Sequence, residues 1–179
     1  LAVPTDIQQK AIPIILTQSE DVVAIAKTGT GKTAAFGLPL LQLIDIKDSN
    51  VQALILAPTR ELGHQIHANL VSYASLSSEI SIAALCGGIP IKPQIERLKS
   101  PTQIVIATPG RLLDLISKGA ISLKALKYLI LDEADEMVTA FKDDLDQIIK
   151  NIPKAHRTLV FTATLSGAVK QLVQNYMSK

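Results

Sequence analysis

The sequence contains six short apolar blocks, and each is followed at once by a segment that is polar or contains glycine or proline. The blocks are rich in Val, Ile, Leu and Ala without strict alternation, which is typical of strands buried on both faces of a parallel sheet. Segments with helical spacing separate them. This alternation predicts an α/β fold, a mostly parallel, doubly wound sheet with helices on both faces. The predicted strands are residues 21–26, 51–57, 80–86, 103–107, 128–131 and 158–161, and the predicted helices are residues 33–45, 60–73, 111–117, 145–152 and 167–177.

Length and composition exclude several classes of protein. The chain has 179 residues, the size of one domain that spans 1–179. A hydrophobic content of 47% excludes a disordered chain. The apolar stretches are far shorter than the ~20 residues that a membrane-spanning helix needs. Because the first residue is Leu1 and not Met, we expect the chain to be a piece of a longer protein.

Charge and residue types bear on the partner and the location. The net charge of +2 is too small to indicate a nucleic-acid partner by itself. Only 3% of the residues are aromatic, so few side chains could stack on bases. We therefore expect any bound nucleic acid to be held by its backbone. Cys86 is the only cysteine and cannot form an internal disulfide, which favours a reducing, cytoplasmic location.

The polar segments that follow the predicted strands should meet at one edge of the sheet. In an open parallel sheet, ligands bind beyond the carboxyl ends of the strands. Segments far apart in sequence would therefore converge on one functional site. The segments are residues 26–33, 58–62, 87–88, 108–111, 132–135 and 162–164.

Residues 26–33 have the pattern of a phosphate-binding loop. Gly29 and Gly31 allow backbone N–H groups to turn toward an anion, and the helix that follows adds its positive N-terminal end. Lys32 would reach the β- and γ-phosphates, and the Thr33 hydroxyl would bind Mg²⁺. Ala26 stands where the strict motif has its first glycine. The alternative is a glycine-rich turn with an exposed lysine.

Asp132 and Glu133 follow a predicted strand directly and could supply the second half of a nucleotide site. Asp132 would hold Mg²⁺, and Glu133 would accept a proton from the attacking water. The alternative is a solvated acidic run, since Glu136 and residues 143–146 bring further carboxylates. That alternative does not explain two carboxylates at the very end of an apolar strand.

Seven segments in order resemble the motifs of the amino-terminal RecA-like domain of DEAD-box RNA helicases. Residues 132–135 read Asp-Glu-Ala-Asp, the tetrapeptide that names the family, and residues 26–33 resemble its motif I. The resemblance covers essentially the whole chain. The other five segments are residues 4–8 (Q motif), 58–62 (motif Ia), Gly87-Gly88 (the GG element), 108–112 (motif Ib) and 162–164 (motif III).

The resemblance implies a role for each matching residue. Gln8 would read adenine, and Thr5, Thr28, Gly29, Thr30, Gly31, Lys32 and Thr33 would complete an ATP site, with Mg²⁺ held at Thr33 and Asp132. The implied catalytic residues are Glu133, Lys32 and Asp132. Asp135 would bond to the hydroxyls of Thr162 and Thr164 and so couple hydrolysis to a second RecA-like domain, which this chain lacks. Single-stranded or locally opened RNA would be bound independently of its sequence by Pro58, Arg60, Gly88, Thr108, Gly110 and Arg111.

The resemblance also leaves alternatives and departures. The function implied is ATP-driven local separation of RNA duplexes; an ATP-dependent RNA clamp with incidental turnover and a DNA helicase of a related family are the rivals. Gly63 stands where motif Ia usually continues with Ala, a change that should only loosen the helix by ~1 kcal/mol. His64, His67 and His156 lack the spacing of a metal site.

Overall fold

The computed structural model describes residues 3–76 and 79–177. Within them, six strands form one sheet in which every neighbouring pair is parallel. The predicted α/β fold with a parallel sheet is confirmed. The strands are β1 (Val22–Ile25), β2 (Ala53–Leu56), β3 (Ile82–Leu85), β4 (Ile104–Ala107), β5 (Tyr128–Leu131) and β6 (Arg157–Thr162), and their order across the sheet is β1-β6-β5-β2-β4-β3.

Helices cover both faces of the sheet. One face packs against α1 (Asp6–Thr17), α2 (Lys32–Leu43) and α3 (Arg60–Tyr73). The other packs against α4 (Lys92–Arg97), α5 (Pro109–Ser117), α6 (Ala134–Ala140), α7 (Lys142–Ile149) and α8 (Gly167–Tyr176). None of the helices described is both long and apolar enough to cross a membrane.

Successive residues of the central strands enter opposite cores, which explains their unbroken apolar sequences. In β2, Leu54 and Leu56 belong to the core under α5 to α8, whereas Ala53 and Ile55 belong to the core under α1 to α3. The first predicted strand departs from this pattern. Because β1 lies at the edge of the sheet, Val23 and Ile25 are 36% and 56% exposed rather than buried.

The helix α1 was not predicted, although the sequence carries a signal for it. Prolines at positions 4 and 13 suggest an interrupted segment, yet Pro13 lies inside the helix. The signal is Thr5 followed three residues later by Gln8, the spacing of a capping box. In the structure, the side-chain oxygen of Gln8 accepts from the backbone N–H of Thr5 at 3.0 Å.

The strand order divides the carboxyl edge of the sheet into two halves. The loops after β1, β6 and β5 are neighbours, and they contain residues 26–33, 162–164 and 132–135. The loops after β2, β4 and β3 form the other half, with residues 58–62, 108–111 and 87–88. The segments assigned to nucleotide and those assigned to RNA therefore lie side by side, on separate strands.

Candidate nucleotide and RNA site

The phosphate loop leads directly into α2, with Gly31 at the N-cap position. Gly31 has a φ of +87°, and a Cβ atom there would overlap the side-chain amide of Gln8. That amide donates to the carbonyl oxygen of Gly31 at 3.1 Å, so α1 is tied to the loop. A glycine is required at position 31 by both the backbone conformation and the close approach of Gln8.

Lys32 and Asp132 form a buried ion pair at the start of α2 and the end of β5. Their Nζ and Oδ1 atoms lie 3.5 Å apart, and the side chains are only 6% and 3% exposed. Burial raises the pKa of Asp132, against the opposing effects of the Lys32 ammonium and the N–H of Glu133. The Lys32 ammonium has no hydrogen-bond partner among the described residues.

This pair fits a nucleotide with a divalent cation. The Lys32 ammonium is ion-paired with Asp132 but makes no hydrogen bond, and a phosphate oxygen would accept one from it. The Asp132 carboxylate and the Thr33 hydroxyl, on the first turn of α2, are oxygen donors of the kind that Mg²⁺ prefers. Lys32, Thr33 and Asp132 could therefore hold phosphates and a metal ion together.

Glu133 is the one described residue other than glycine with a positive φ, +50°. Such strain persists only where surrounding contacts impose it, and it is common at functional sites. Its backbone N–H donates to Asp132 at 3.0 Å, and its carboxylate accepts from the Thr28 hydroxyl at 3.4 Å. A cavity of about 370 Å³ opens here, and Thr28, Glu133, Asp135, Glu136 and Ala163 line it.

A second cavity, of about 580 Å³, lies on the other side of the phosphate loop, against α1. Thr5 and Thr30, both predicted, are among its lining residues. Lys10 and Ile25 also line it and were not predicted. Their places in the sequence are consistent with this site. Lys10 lies about one turn after Asp6 on α1, and Ile25 directly precedes the phosphate loop. The remaining lining residues are Asp6, Ile7 and Ala26.

Asp135 bonds to the segment after β6. The Thr164 hydroxyl donates to its carboxylate at 3.0 Å, as the resemblance implied. The Thr162 hydroxyl donates to the backbone carbonyl of Thr164, at 2.9 Å, and so shapes the segment itself. Partial burial tends to raise the pKa of Asp135, but hydrogen bonds from the hydroxyls of Thr164 and Thr162 outweigh it and lower the pKa.

The half of the edge assigned to RNA centres on the loop after β3. The guanidinium of Arg60 lies across Gly88, so closely that a Cβ atom there would overlap it. The Thr108 hydroxyl accepts from the backbone N–H of Gly87 at 3.2 Å. Three of the segments implied in RNA binding therefore meet at this loop. The remaining implied residues are Pro58, which is buried, and Gly110, which is exposed.

Arg111 reaches the same loop, and the half-buried side chain bonds to protein groups there. Its guanidinium donates to the carbonyl oxygens of Cys86 and Ile89, at 3.3 and 2.8 Å. Cys86 is fully buried, and burial raises the pKa of its thiol. The described residues contain no cluster of three or more His, Cys, Asp or Glu side chains able to hold a metal ion.

The comparison with known families agrees with this geometry. The family model described as DEAD/DEAH box helicase matches residues 5–172. The chain belongs to the DEAD/DEAH box helicase family. The two halves of the carboxyl edge thus correspond to the motifs that the sequence shares with DEAD-box proteins.

Relatives and solved structures in the DEAD-box family are similar over almost all of this chain. It is 45% identical to the "ATP-dependent RNA helicase CshA" of Listeria monocytogenes, over 97% of this chain and 33% of that protein. The crystal structure of a DEAD box protein from Methanococcus jannaschii superposes with a TM-score of 0.91 at 42% identity, over 98% of this chain and 48% of that one. A hypothetical ATP-dependent RNA helicase from Sulfolobus tokodaii gives 0.88 at 37% identity, over 99% and 51%. The chain therefore spans between a third and about half of the length of these relatives.

Proposed function

We propose that this chain is the ATP-binding and RNA-backbone-binding half of a DEAD-box RNA helicase, which couples ATP hydrolysis to local separation of RNA duplexes. The observation that carries the proposal is the buried Lys32–Asp132 pair, whose ammonium has no hydrogen-bond acceptor in the described chain, beside the strained Glu133. Family membership supports it, as do relatives that are named ATP-dependent RNA helicases.

In this proposal the nucleotide lies along the phosphate loop between the two cavities. Lys32 binds the β- and γ-phosphates, and the Glu133 carboxylate accepts a proton from the attacking water. Thr33 and Asp132 would hold Mg²⁺, which would neutralise phosphate charge when bound. Thr5 and Gln8, on the α1 side, recognise the base. The bond between Asp135 and Thr164 couples ATP hydrolysis to the second RecA-like domain.

RNA binding is proposed for the other half of the edge. Arg60, Gly88, Thr108 and Gly110 offer a cation, backbone amides and a hydroxyl, which are the groups that contact phosphate and sugar rather than bases. Binding should then be independent of sequence. The poor supply of aromatic side chains supports the same reading.

A second RecA-like domain is part of the proposal. The chain has four arginines, and the guanidinium group of each contacts residues outside the phosphate loop. The arginine that stabilises a transferring phosphoryl group would therefore come from the second domain. The chain covers only 33% to 51% of the length of these relatives, which supports the proposal that a second domain belongs to the protein. A cytoplasmic location remains a prediction from the single cysteine.

The test compares nucleic acids as activators of the full-length protein. ATP hydrolysis is measured with single-stranded RNA and with DNA of the same sequence, and strand separation is followed on a short RNA duplex. Stimulation by RNA, little stimulation by DNA, and ATP-dependent strand separation are the expected results. Stimulation by DNA alone would support the DNA helicase, and turnover without strand separation would support the RNA clamp; either would overturn the proposal.

A further inference from the structure

The loop after β3, residues 86–89, is held by a side chain that neither the motifs nor the proposed chemistry uses. Gln94 lies on α4, six residues beyond the glycine pair, and is only 5% exposed. Its amide nitrogen donates to the carbonyl oxygen of Cys86 at 2.9 Å. Its amide oxygen accepts from Arg111 at 2.8 Å. A buried amide with both ends bonded fixes the groups around it, because breaking either bond leaves a buried polar atom unpaired.

Arg111 reaches the same loop from α5. Its Nη1 donates to Gln94 and to Cys86, and its Nη2 donates to Ile89. One guanidinium therefore bridges the first and last residues of the loop. We call Gln94 and Arg111 together the loop brace.

Inside the braced loop, the backbone takes a left-handed conformation at one residue. Gly88 has a φ of +81° and lies against the Arg60 guanidinium. The backbone N–H of Gly87 is already bonded to Thr108. The loop carbonyls at both ends are thus turned toward the brace, on the protein side.

We propose that the loop brace is a positioning device for RNA: Gln94 orients Arg111, and Arg111 holds residues 86–89 so that Gly88 and Arg60 meet the RNA backbone. This inference rests on the proposed RNA binding and deepens it. It assigns Arg111 to the loop carbonyls rather than to a phosphate. Gln94 and Arg111 are both positioning residues in this account.

The test uses Gln94→Met in the full-length protein, which keeps the volume of the side chain and removes both hydrogen bonds. Affinity for a labelled single-stranded RNA is measured by fluorescence anisotropy with a non-hydrolysable ATP analogue present. RNA affinity should fall about ten-fold, on the scale of one or two lost hydrogen bonds, while ADP affinity stays at the parent value. Gln52→Met is the matched control, because Gln52 is fully buried and its side chain bonds to Asp45 and Asp48. Gln52 precedes β2, at the opposite end of the strands from residues 86–89. Its replacement should therefore lower stability without changing RNA affinity.

A double-mutant cycle separates positioning from general destabilisation. Arg111→Lys keeps the positive charge but cannot bridge the loop. If Gln94 acts through Arg111, the loss of RNA affinity in the double variant should be clearly smaller than the sum of the two single losses. Independent, additive losses would overturn the inference, as would parent-like RNA affinity in Gln94→Met. Failure of the parent itself to bind RNA would instead overturn the proposed function and the inference with it.

Discussion

The side-chain amide of Gln8 donates to the carbonyl oxygen of Gly31 at 3.1 Å, which joins the first helix to the phosphate loop. The same amide accepts from the N–H of Thr5, so it is bonded at both ends and is only 2% exposed. An amide has two N–H donors and two lone pairs on its oxygen. One of each therefore remains for a base bound beside the loop.

Base preference should depend on Gln8. We expect the protein to prefer ADP over GDP, and Gln8→Ala to weaken that preference by about 1–3 kcal/mol, the scale of a bidentate amide contact. Calorimetric titration with both nucleotides measures it. Gln9→Ala is the control, because Gln9 is the next residue on the helix and is exposed. Equal affinity of the parent for ADP and GDP would rule out base reading by Gln8.

Gly63 and Cys86 should behave as a packed pair. A Cβ atom at Gly63 would lie 2.6 Å from the Cys86 sulfur. Gly63→Ala should therefore destabilise the protein by about 1–3 kcal/mol through overpacking, although alanine is the better helix former. With Cys86→Ala in the background, the same change should become neutral or stabilising. Urea unfolding of the four proteins tests this, and a more stable Gly63→Ala single variant would contradict it.

These two pairs mark the limit of sequence reasoning. Strand blocks and motifs predicted the parallel sheet and the edge where the loops converge, because short apolar runs and glycine-rich turns are local signals. The sequence suggested that Gly63 only loosens a helix, since nothing local indicates that the Cys86 sulfur occupies the space of its missing methyl group.

The missed features depend on tertiary contacts. The helix α1 includes Pro13 and packs Ala11 and Ile15 into the core on its side of the sheet, a contact that local sequence does not indicate. The exposure of Ile25 follows from the position of β1 at the sheet edge. Arg111 carries a charge that the motif suggests for a phosphate, yet its hydrogen bonds go to loop carbonyls. The direction of a long side chain cannot be read from spacing alone.

Arg157 should be a stability determinant of α1. Its guanidinium donates to the carbonyl oxygens of Ile14, Ile15 and Glu20, at 3.3, 2.6 and 2.6 Å, and the residue is 8% exposed. Arg157→Met should destabilise the protein by about 2–4 kcal/mol, because the end of the helix loses these charged donors. Urea unfolding measures the loss, and hydrogen exchange should quicken near the end of α1. Lys154→Met, an exposed neighbour in sequence, should change stability by less than about 0.5 kcal/mol; equal effects would contradict this role of Arg157.

The isolated chain should hydrolyse ATP very slowly. The guanidinium of Arg157 bonds to α1, that of Arg97 bonds to Thr102 and Ser81, and Arg60 and Arg111 lie at the loop after β3. In enzymes where it has been measured, an arginine at the γ-phosphate raises the rate of phosphoryl transfer ~10³–10⁵-fold. We expect residues 1–179 alone to bind nucleotide weakly and to show no RNA-stimulated turnover. Turnover at the rate of the full-length protein would refute the need for a second domain.

The most direct test of the ATP site replaces Glu133 by Gln in the full-length protein and measures RNA-stimulated ATP hydrolysis. The amide keeps the shape of the side chain but cannot act as a base, so turnover should stop while ATP and RNA are still bound. Lys32→Ala gives the contrast, since it should lose nucleotide affinity itself. Hydrolysis by Glu133→Gln at the parent rate would contradict the account.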